Sequence, residues 1–263
     1  MKIVVCIKQV PATDNATIDP ITKRLVREGL QSILNPFDLY AVEEAICLRE
    51  RFGGEVIALS MGPEKAVFSL REAIAIGADS AVLLSDRAFG GSDTWATSYA
   101  LFRAIETIGA VDMVICGKQA VDGDTAQVGP GIAAHFGWQQ ATYVTAIRTY
   151  HNGYIEAERM NESGSDICRL YLPAVLTVVK GINSPRVPTL KGVLAANACE
   201  IPVWKPDYID ADLDKIGLDP SPTRVVKTQP PPPRPGKTQR IQGEPPACAQ
   251  QLIAVLRQRA LVE

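Results

Sequence analysis

The stretch Gly117-Lys-Gln-Ala-Val-Asp-Gly-Asp-Thr-Ala-Gln-Val-Gly-Pro-Gly131 decides how this chain folds. Before it, Val111-Asp-Met-Val-Ile-Cys116 is a short apolar run of the kind that makes a buried strand. After it, Ile132, Ala133, Ala134 and Phe136 fall on the inward side of a short helix. The stretch is therefore a glycine-rich strand-to-helix turn with its carboxylates and amides gathered at the helix start. Glycine lets backbone approach a ligand closely, and the first N–H groups of a helix lack internal partners. With the positive end of the helix dipole, those donors favour an anion such as a phosphate. The same residues also read as a capped helix after a tight turn, with Asp124 or Thr125 as the N-cap.

Working outward, the chain alternates strands with helices. Lys2 to Ile7 is an apolar strand, ended by Lys8-Gln-Val-Pro11. Asn15 to Leu34 is polar, a hairpin or an excursion. Asn35-Pro-Phe-Asp38 opens a helix with Asn35 as cap and Pro36 in the first turn, where Asp38 complements the dipole. Glu55 to Ser60 is a second strand, and Met61-Gly-Pro63 turns into a helix over 64–76. Ser80 to Ser85 is a third strand. Gly90-Gly-Ser-Asp-Thr94 opens the next helix, with Ser92 a natural cap, and is a second candidate anion site. Such alternation with short turns predicts a doubly wound parallel sheet, in which ligands sit beyond the carboxyl ends of the strands. Lys8, Met61, Ser92, Asp93, Thr94 and the 117–128 turn all belong at that edge. A lysine there meets an anionic ligand or is merely solvated. From Ala141 the period changes, and strands over 143–150, 154–160 and 167–172 predict a small antiparallel extension. Ala174 to Lys180 returns to the main sheet.

Composition narrows the function classes. Of 263 residues, 46% are hydrophobic, ample for a packed core, and the net charge of −2 gives no footprint for nucleic acid. No apolar run reaches the roughly 18 residues that membrane insertion needs. The N-terminus passes directly into a strand, so no signal peptide is expected. Cys6, Cys47, Cys116, Cys168, Cys199 and Cys248 are scattered, and the histidines are only His135 and His151. Neither a metal site nor a disulfide framework is expected, and a reducing cytoplasm fits best. No acid, base or nucleophile triad is visible, so no catalytic residue is assigned.

Prolines 202, 206, 220, 222, 230–233, 235, 245 and 246 predict an extended arm with polyproline character from residue 202 onward. An amphipathic helix over 247–261, bearing Leu252, Ile253, Val255 and Leu256, follows it and needs a partner to cover its apolar face. The expected organisation is a nucleotide-binding domain over 1–185, a recognition segment over 186–201 and the arm over 202–263.

With these residues in view, the chain resembles the beta subunits of electron transfer flavoproteins over essentially its whole length. The resemblance rests on the Lys8 strand end, Asn35-Pro-Phe37 with Ala41 and Glu43-Glu-Ala45, and Gly77-Ala-Asp79. It rests further on Gly117-Lys-Gln-Ala120 through Asp122 and Gln127, Leu172-Pro-Ala174, and Pro185-Arg186 with Thr189-Leu190. It implies an α/β nucleotide-binding fold of the adenine nucleotide alpha hydrolase type, in a heterodimer with an alpha subunit that carries the electron-transferring FAD. In ordinary members the beta subunit holds AMP. Carried over by position, the nucleotide contacts fall on Cys6, Asn35, Pro36, Phe37, Asp38 and Met61. Within the turn they fall on Gly117, Lys118, Gln119, Ala120, Val121, Asp122, Gly123, Asp124, Thr125, Ala126, Gln127 and Val128. The leucine that docks on partner dehydrogenases corresponds to Leu190. The lysine-rich run that follows it in ordinary members is absent, since Lys191 leads into Gly-Val-Leu-Ala-Ala-Asn197.

Asp38, Asp122-Gly-Asp-Thr125 and the loop from Ser85-Asp-Arg87 to Thr94 resemble the electron-bifurcating subgroup. There the beta subunit binds a second FAD, which NADH reduces. One electron then goes to ferredoxin or flavodoxin, and the other through the alpha-subunit FAD to an acyl-CoA dehydrogenase-like or other flavin dehydrogenase. An AMP-holding subunit is the alternative within the family. Outside it stand a nucleotide sensor, which leaves the arm unexplained, and an ATP-pyrophosphatase, whose phosphate loop belongs after the first strand rather than the third.

Overall fold

The computed structural model describes residues 1–12, 32–151, 153–226, 236 and 239–262. Two compact units divide the chain, Met1–Val226 and Lys227–Glu263. In the first, β1 (Lys2–Cys6) is followed by β2 (Gln9–Pro11) and β3 (Ser32–Leu34), which pair antiparallel with each other. The excursion expected over 15–34 thus ends in a two-stranded pair, and its residues 13–31 lie outside the described ones. The chain then runs through α1 (Pro36–Phe52), β4 (Glu55–Met61), α2 (Val67–Ile76), β5 (Ser80–Leu84), α3 (Thr94–Ile108), β6 (Met113–Gly117) and α4 (Val128–Phe136). Next come β7 (Gln139–His151), β8 (Tyr154–Asn161), β9 (Gly164–Tyr171), β10 (Ala174–Val178), α5 (Leu190–Ala198) and β11 (Val203–Trp204).

These strands form one nine-stranded sheet in the order β11-β5-β4-β1-β6-β10-β7-β8-β9. Every pair from β11 to β7 is parallel, and β7-β8-β9 is the expected antiparallel extension. The parallel strands are buried on both faces, so their sequences are continuously apolar rather than alternating. Ile3, Val5, Met113 and Ile115 point into a core with α1 and α2, while Val4, Cys6, Val114 and Cys116 point into one with α3 and α4. From β1 the chain winds outward to β4 and β5. It then crosses back through α3 to place β6 on the other side of β1. The strand order therefore reverses between β1 and β6, and in sheets of this kind ligands bind beyond the carboxyl ends at such a switch point.

Residues 202–226, expected to belong to the arm, lie in the first unit. Val203 and Trp204 pair in parallel with Leu83 and Leu84, and Ile209 and Ile216 are buried in the α3 and α4 core. Prolines break hydrogen-bonding runs, but apolar residues spaced between them still seat singly on a neighbouring sheet and helix. The second unit contains a helix, α6 (Pro245–Gln258), with Pro245 and Pro246 in its first turn and no buried residue. Residues 227–235, including Pro230 to Pro233, lie outside the described ones.

Candidate functional site

At the switch point Asn35 holds the position of a helix cap, yet its side chain makes no capping bond to α1. Its Nδ2 donates to the Gln119 carbonyl at 2.9 Å, and its Oδ1 accepts from the Val121 amide at 3.1 Å. A buried amide thus clamps the turn after β6 instead of its own helix. The Asp38 amide donates instead to the Asn35 carbonyl at 2.9 Å, and Pro36 at the first helical position has no N–H to satisfy.

Asp38, one turn into α1, is 5% exposed and accepts from the Lys8 amide at 2.7 Å. A Cβ on Gly117 would stand 2.3 Å from Asp38 Oδ1 and 2.7 Å from the Phe37 carbonyl carbon, so only glycine fits there. Burial pushes the Asp38 carboxyl up to about 7, against the pull of hydrogen bonds from Asn35, Lys8 and Gly117 and of the Lys8 charge. β1, α1 and β6 therefore meet on one buried carboxyl.

The turn itself is tied at several points. Lys8 Nζ lies 2.8 and 2.9 Å from the two Asp122 oxygens, so the strand-end lysine is ion-paired to the turn. Gln119 Nε2 bonds to Asp124, whose amide donates to the Ala120 carbonyl at 2.8 Å. The Lys118 amide donates to Val178, and its ammonium stands 4.9 Å from the Tyr143 ring centre and 5.9 Å from that of Phe37. Asp122 to Thr125 form the exposed tip.

Asp124 and Ala126 have φ of 54° and 56°, a left-handed conformation that cannot open a right-handed helix. This corrects the expected Asp124 or Thr125 cap: α4 starts at Val128, with Gln127 at the cap position and no side-chain cap. Glycines near this start have separate uses. A Cβ on Gly129 would lie 2.5 Å from Thr177 Cγ2, and one on Gly131 would lie 2.6 Å from Ser98 Oγ, so both let α4 pack on β10 and α3. A Cβ on Gly123 meets nothing within 4 Å.

The second glycine-rich loop is differently committed. Asp93, not the expected Ser92, caps α3, accepting from the Trp95 and Ala96 amides at 3.0 and 3.1 Å. A carboxylate accepts these helix-start donors and complements the dipole, so it outcompetes a neighbouring hydroxyl. Its other oxygen accepts from the Thr223 amide and hydroxyl at 2.9 and 2.8 Å. Burial raises this carboxyl, but those donors outweigh it and hold the group below the usual carboxylate range. Ser92 accepts from Gly217 at 2.8 Å. Of the three loop residues it is Thr94 that bonds to the 117–128 turn, through Gln127 at 3.1 Å. Met61 ends β4 at the same sheet edge, while Cys6 and Cys116 lie in register beneath the switch point.

The residues that could hold an anionic ligand are the turn and those that shape it. α3 and α5 are capped by Asp93 and Thr189, whereas α1, α2 and α4 have no side-chain cap, and of these it is α4 that opens directly from the turn after β6. Among the described residues no three metal-ligating side chains cluster, and no helix is long and apolar enough to cross a membrane.

Leu190 lies apart from this site and is 77% exposed. The recognition loop expected around it continues as α5, a helix the sequence reading missed. Thr189 caps it, accepting from Gly192 at 3.0 Å. Gly192, a poor helix former, is needed there because a Cβ would meet the Ala75 carbonyl at 2.2 Å. Tyr143, with φ of 59° at the β10–β7 irregularity, was also missed. The Asn35 clamp left one trace in the sequence, an Asn-Pro pair that a helix cap equally explains.

A family model described as the electron transfer flavoprotein domain matches residues 22–208. The chain is 49% identical to an electron transfer flavoprotein subunit beta of Thermoanaerobacterium thermosaccharolyticum, over 88% of each chain. It is 45% identical to the caffeyl-CoA reductase-Etf complex subunit CarD of Acetobacterium woodii, over 90% of each. It is 44% identical to protein FixA of Azorhizobium caulinodans, over 98% of this chain and 95% of the relative.

Proposed function

Because the chain belongs to the electron transfer flavoprotein family, on its beta subunit and FixA side, we propose that it is a beta subunit of the NADH-oxidising, electron-bifurcating kind. In this reading it holds a FAD over the turn between β6 and α4. It works in the cytoplasm in a heterodimer with an alpha subunit that carries a second FAD. A FAD held there by the turn would supply the redox chemistry, hydride acceptance from NADH and one-electron delivery to ferredoxin or flavodoxin and, by way of the alpha-subunit FAD, to an acyl-CoA dehydrogenase-like or other flavin dehydrogenase, while this chain's residues would bind and orient it.

The observation that carries this reading is the start of α4. Its donors carry no side-chain cap and open onto a turn that Asn35, Lys8 and Gln119 hold in one shape. An anion at such a helix start is favoured by both the free N–H groups and the dipole. Amides between Gly123 and Val128, apart from that of Asp124, which donates to the Ala120 carbonyl, are the pyrophosphate ligands in this reading. Lys8 neutralises Asp122, which would otherwise oppose that charge. Asp38 and Gly117 bring the strand ends together beneath the site. The three features that resemble bifurcating members support FAD over AMP, and one relative is named as part of a caffeyl-CoA reductase complex. Leu190 is the docking anchor for the dehydrogenase, and the second unit fastens the alpha subunit.

Anaerobic titration of the purified heterodimer with NADH tests the reading. Bleaching of flavin absorbance by NADH, with no dehydrogenase present, is expected. A flavin that NADH leaves oxidised but a reduced dehydrogenase bleaches would assign the chain to the AMP-holding kind.

A further inference from the structure

The segment from Ile182 to Cys199 adds little to either core, since Ala196 is its one fully buried residue. It is nevertheless fixed at both ends. At the front, Arg186 reaches two carboxylates of α1. Its Nε and Nη2 each lie 3.0 Å from Glu43, and its Nη1 and Nη2 lie 2.6 and 3.0 Å from Glu50. The Arg186 amide also donates to Glu43 at 3.1 Å. Nearby, Asn183 donates to Glu44 and to the Tyr40 carbonyl, both at 3.0 Å. At the back, Arg71 of α2 holds the Ala196 and Asn197 carbonyls at the end of α5, at 2.6 and 3.1 Å.

Glu43 is 5% exposed. Burial raises its carboxyl, yet bonds from Arg186 outweigh that and hold it below the usual range. Taking a carboxylate out of water is costly unless it is fully paired, and from this segment the core gains only Ala196, with Ile182 and Cys199 packed beside it. What the segment does carry is an apolar face turned to solvent: Val187 (84% exposed), Leu190 and Leu194 (61%). Ordering an exposed apolar face before a partner arrives lowers the entropy lost on binding.

We propose that Arg186, clamped between Glu43 and Glu50, is a positioning residue that pre-organises the apolar face of α5 for the electron-accepting dehydrogenase. The proposal rests on the reading of Leu190 as the docking anchor. A guanidinium suits the place because its planar fork gives two nitrogens to each carboxylate, whereas an ammonium has three donors and no such fork.

The test compares Leu190→Ala, Arg186→Gln, Arg186→Lys and Glu50→Gln in the full heterodimer. The acceptor is an acyl-CoA dehydrogenase of the host that the wild type reduces. Arg186→Gln should raise KM for that dehydrogenase about tenfold with kcat and flavin content unchanged, as expected when ordering cost moves into binding. Arg186→Lys should restore it only partly. Hydrogen exchange should quicken over 187–198 and stay unchanged in the 117–128 turn. If Arg186→Gln fails to fold, Glu50→Gln decides, because it leaves no buried charge unpaired. It should raise KM less, in the same direction. A raised KM in Leu190→Ala with none in the clamp variants would overturn the clamp and leave the anchor standing. An unchanged KM in all four would overturn both.

Discussion

Asn35, Asp38 and Gly117 carry the site at the scale of single residues. Asn35→Ala would remove two hydrogen bonds that fix the turn, each contributing about 1 kcal/mol. Nucleotide affinity should fall by roughly 30-fold, read by calorimetry on the stripped protein, if most of that energy is expressed in binding. Asp38 predicts a pH effect. Its folded carboxyl, at about 7, keeps its proton where the unfolded chain, with the ordinary value of 3.8, has lost it. The stability this contributes is full below pH 3.8 and is lost as the pH rises through about 7. The loss is about 1.4 kcal/mol for each pH unit between those limits. Asp38→Asn should flatten the fall in stability between pH 4.5 and 6.5, followed by urea unfolding. An unaltered slope would mean that Asp38 is ionised in the fold.

Helix starts mark how far the sequence could be read. The strands were legible because strands buried on both faces are unbroken apolar runs, as at Lys2–Cys6 and Ala174–Val178. Caps were less so. Ser92, Asp93, Asp124 and Thr125 are all capping types, and which of them caps depends on loop geometry formed by residues far along the chain, such as Thr223. α5 was hidden because its nine residues include a glycine that only the contact with Ala75 explains. The turn after β6 was found from its glycines, although Gly129 and Gly131 serve packing. That separation yields a prediction. Gly123→Val places its side chain in open space and should strip the nucleotide while leaving the melting temperature of the stripped protein unchanged. Gly129→Val, driven against Thr177, should lower that temperature by several degrees, since overpacking costs about 1–3 kcal/mol. If Gly123→Val keeps full nucleotide, the pyrophosphate does not lie on this turn.

For the whole molecule, the boundary near Val226 separates a unit with its own two-sided core from a segment whose helix buries nothing. Isolated helices of about 15 residues are marginal in water, so α6 needs a surface to be stable. A chain ending at Val226 should keep a cooperative melt and lose co-purification with the alpha subunit. One ending at Ile201 should melt far lower, because it loses Ile209 and Ile216, each contributing about 1.5–3 kcal/mol by burial. Retained co-purification at full stoichiometry in the Val226 chain would place the heterodimer contact in the first unit. In the proposed reading this chain itself holds a flavin at the β1–β6 switch point. Denaturing the purified heterodimer and counting the nucleotides released tests it most directly. Two FAD and no AMP per heterodimer are expected. One FAD accompanied by one AMP would contradict it.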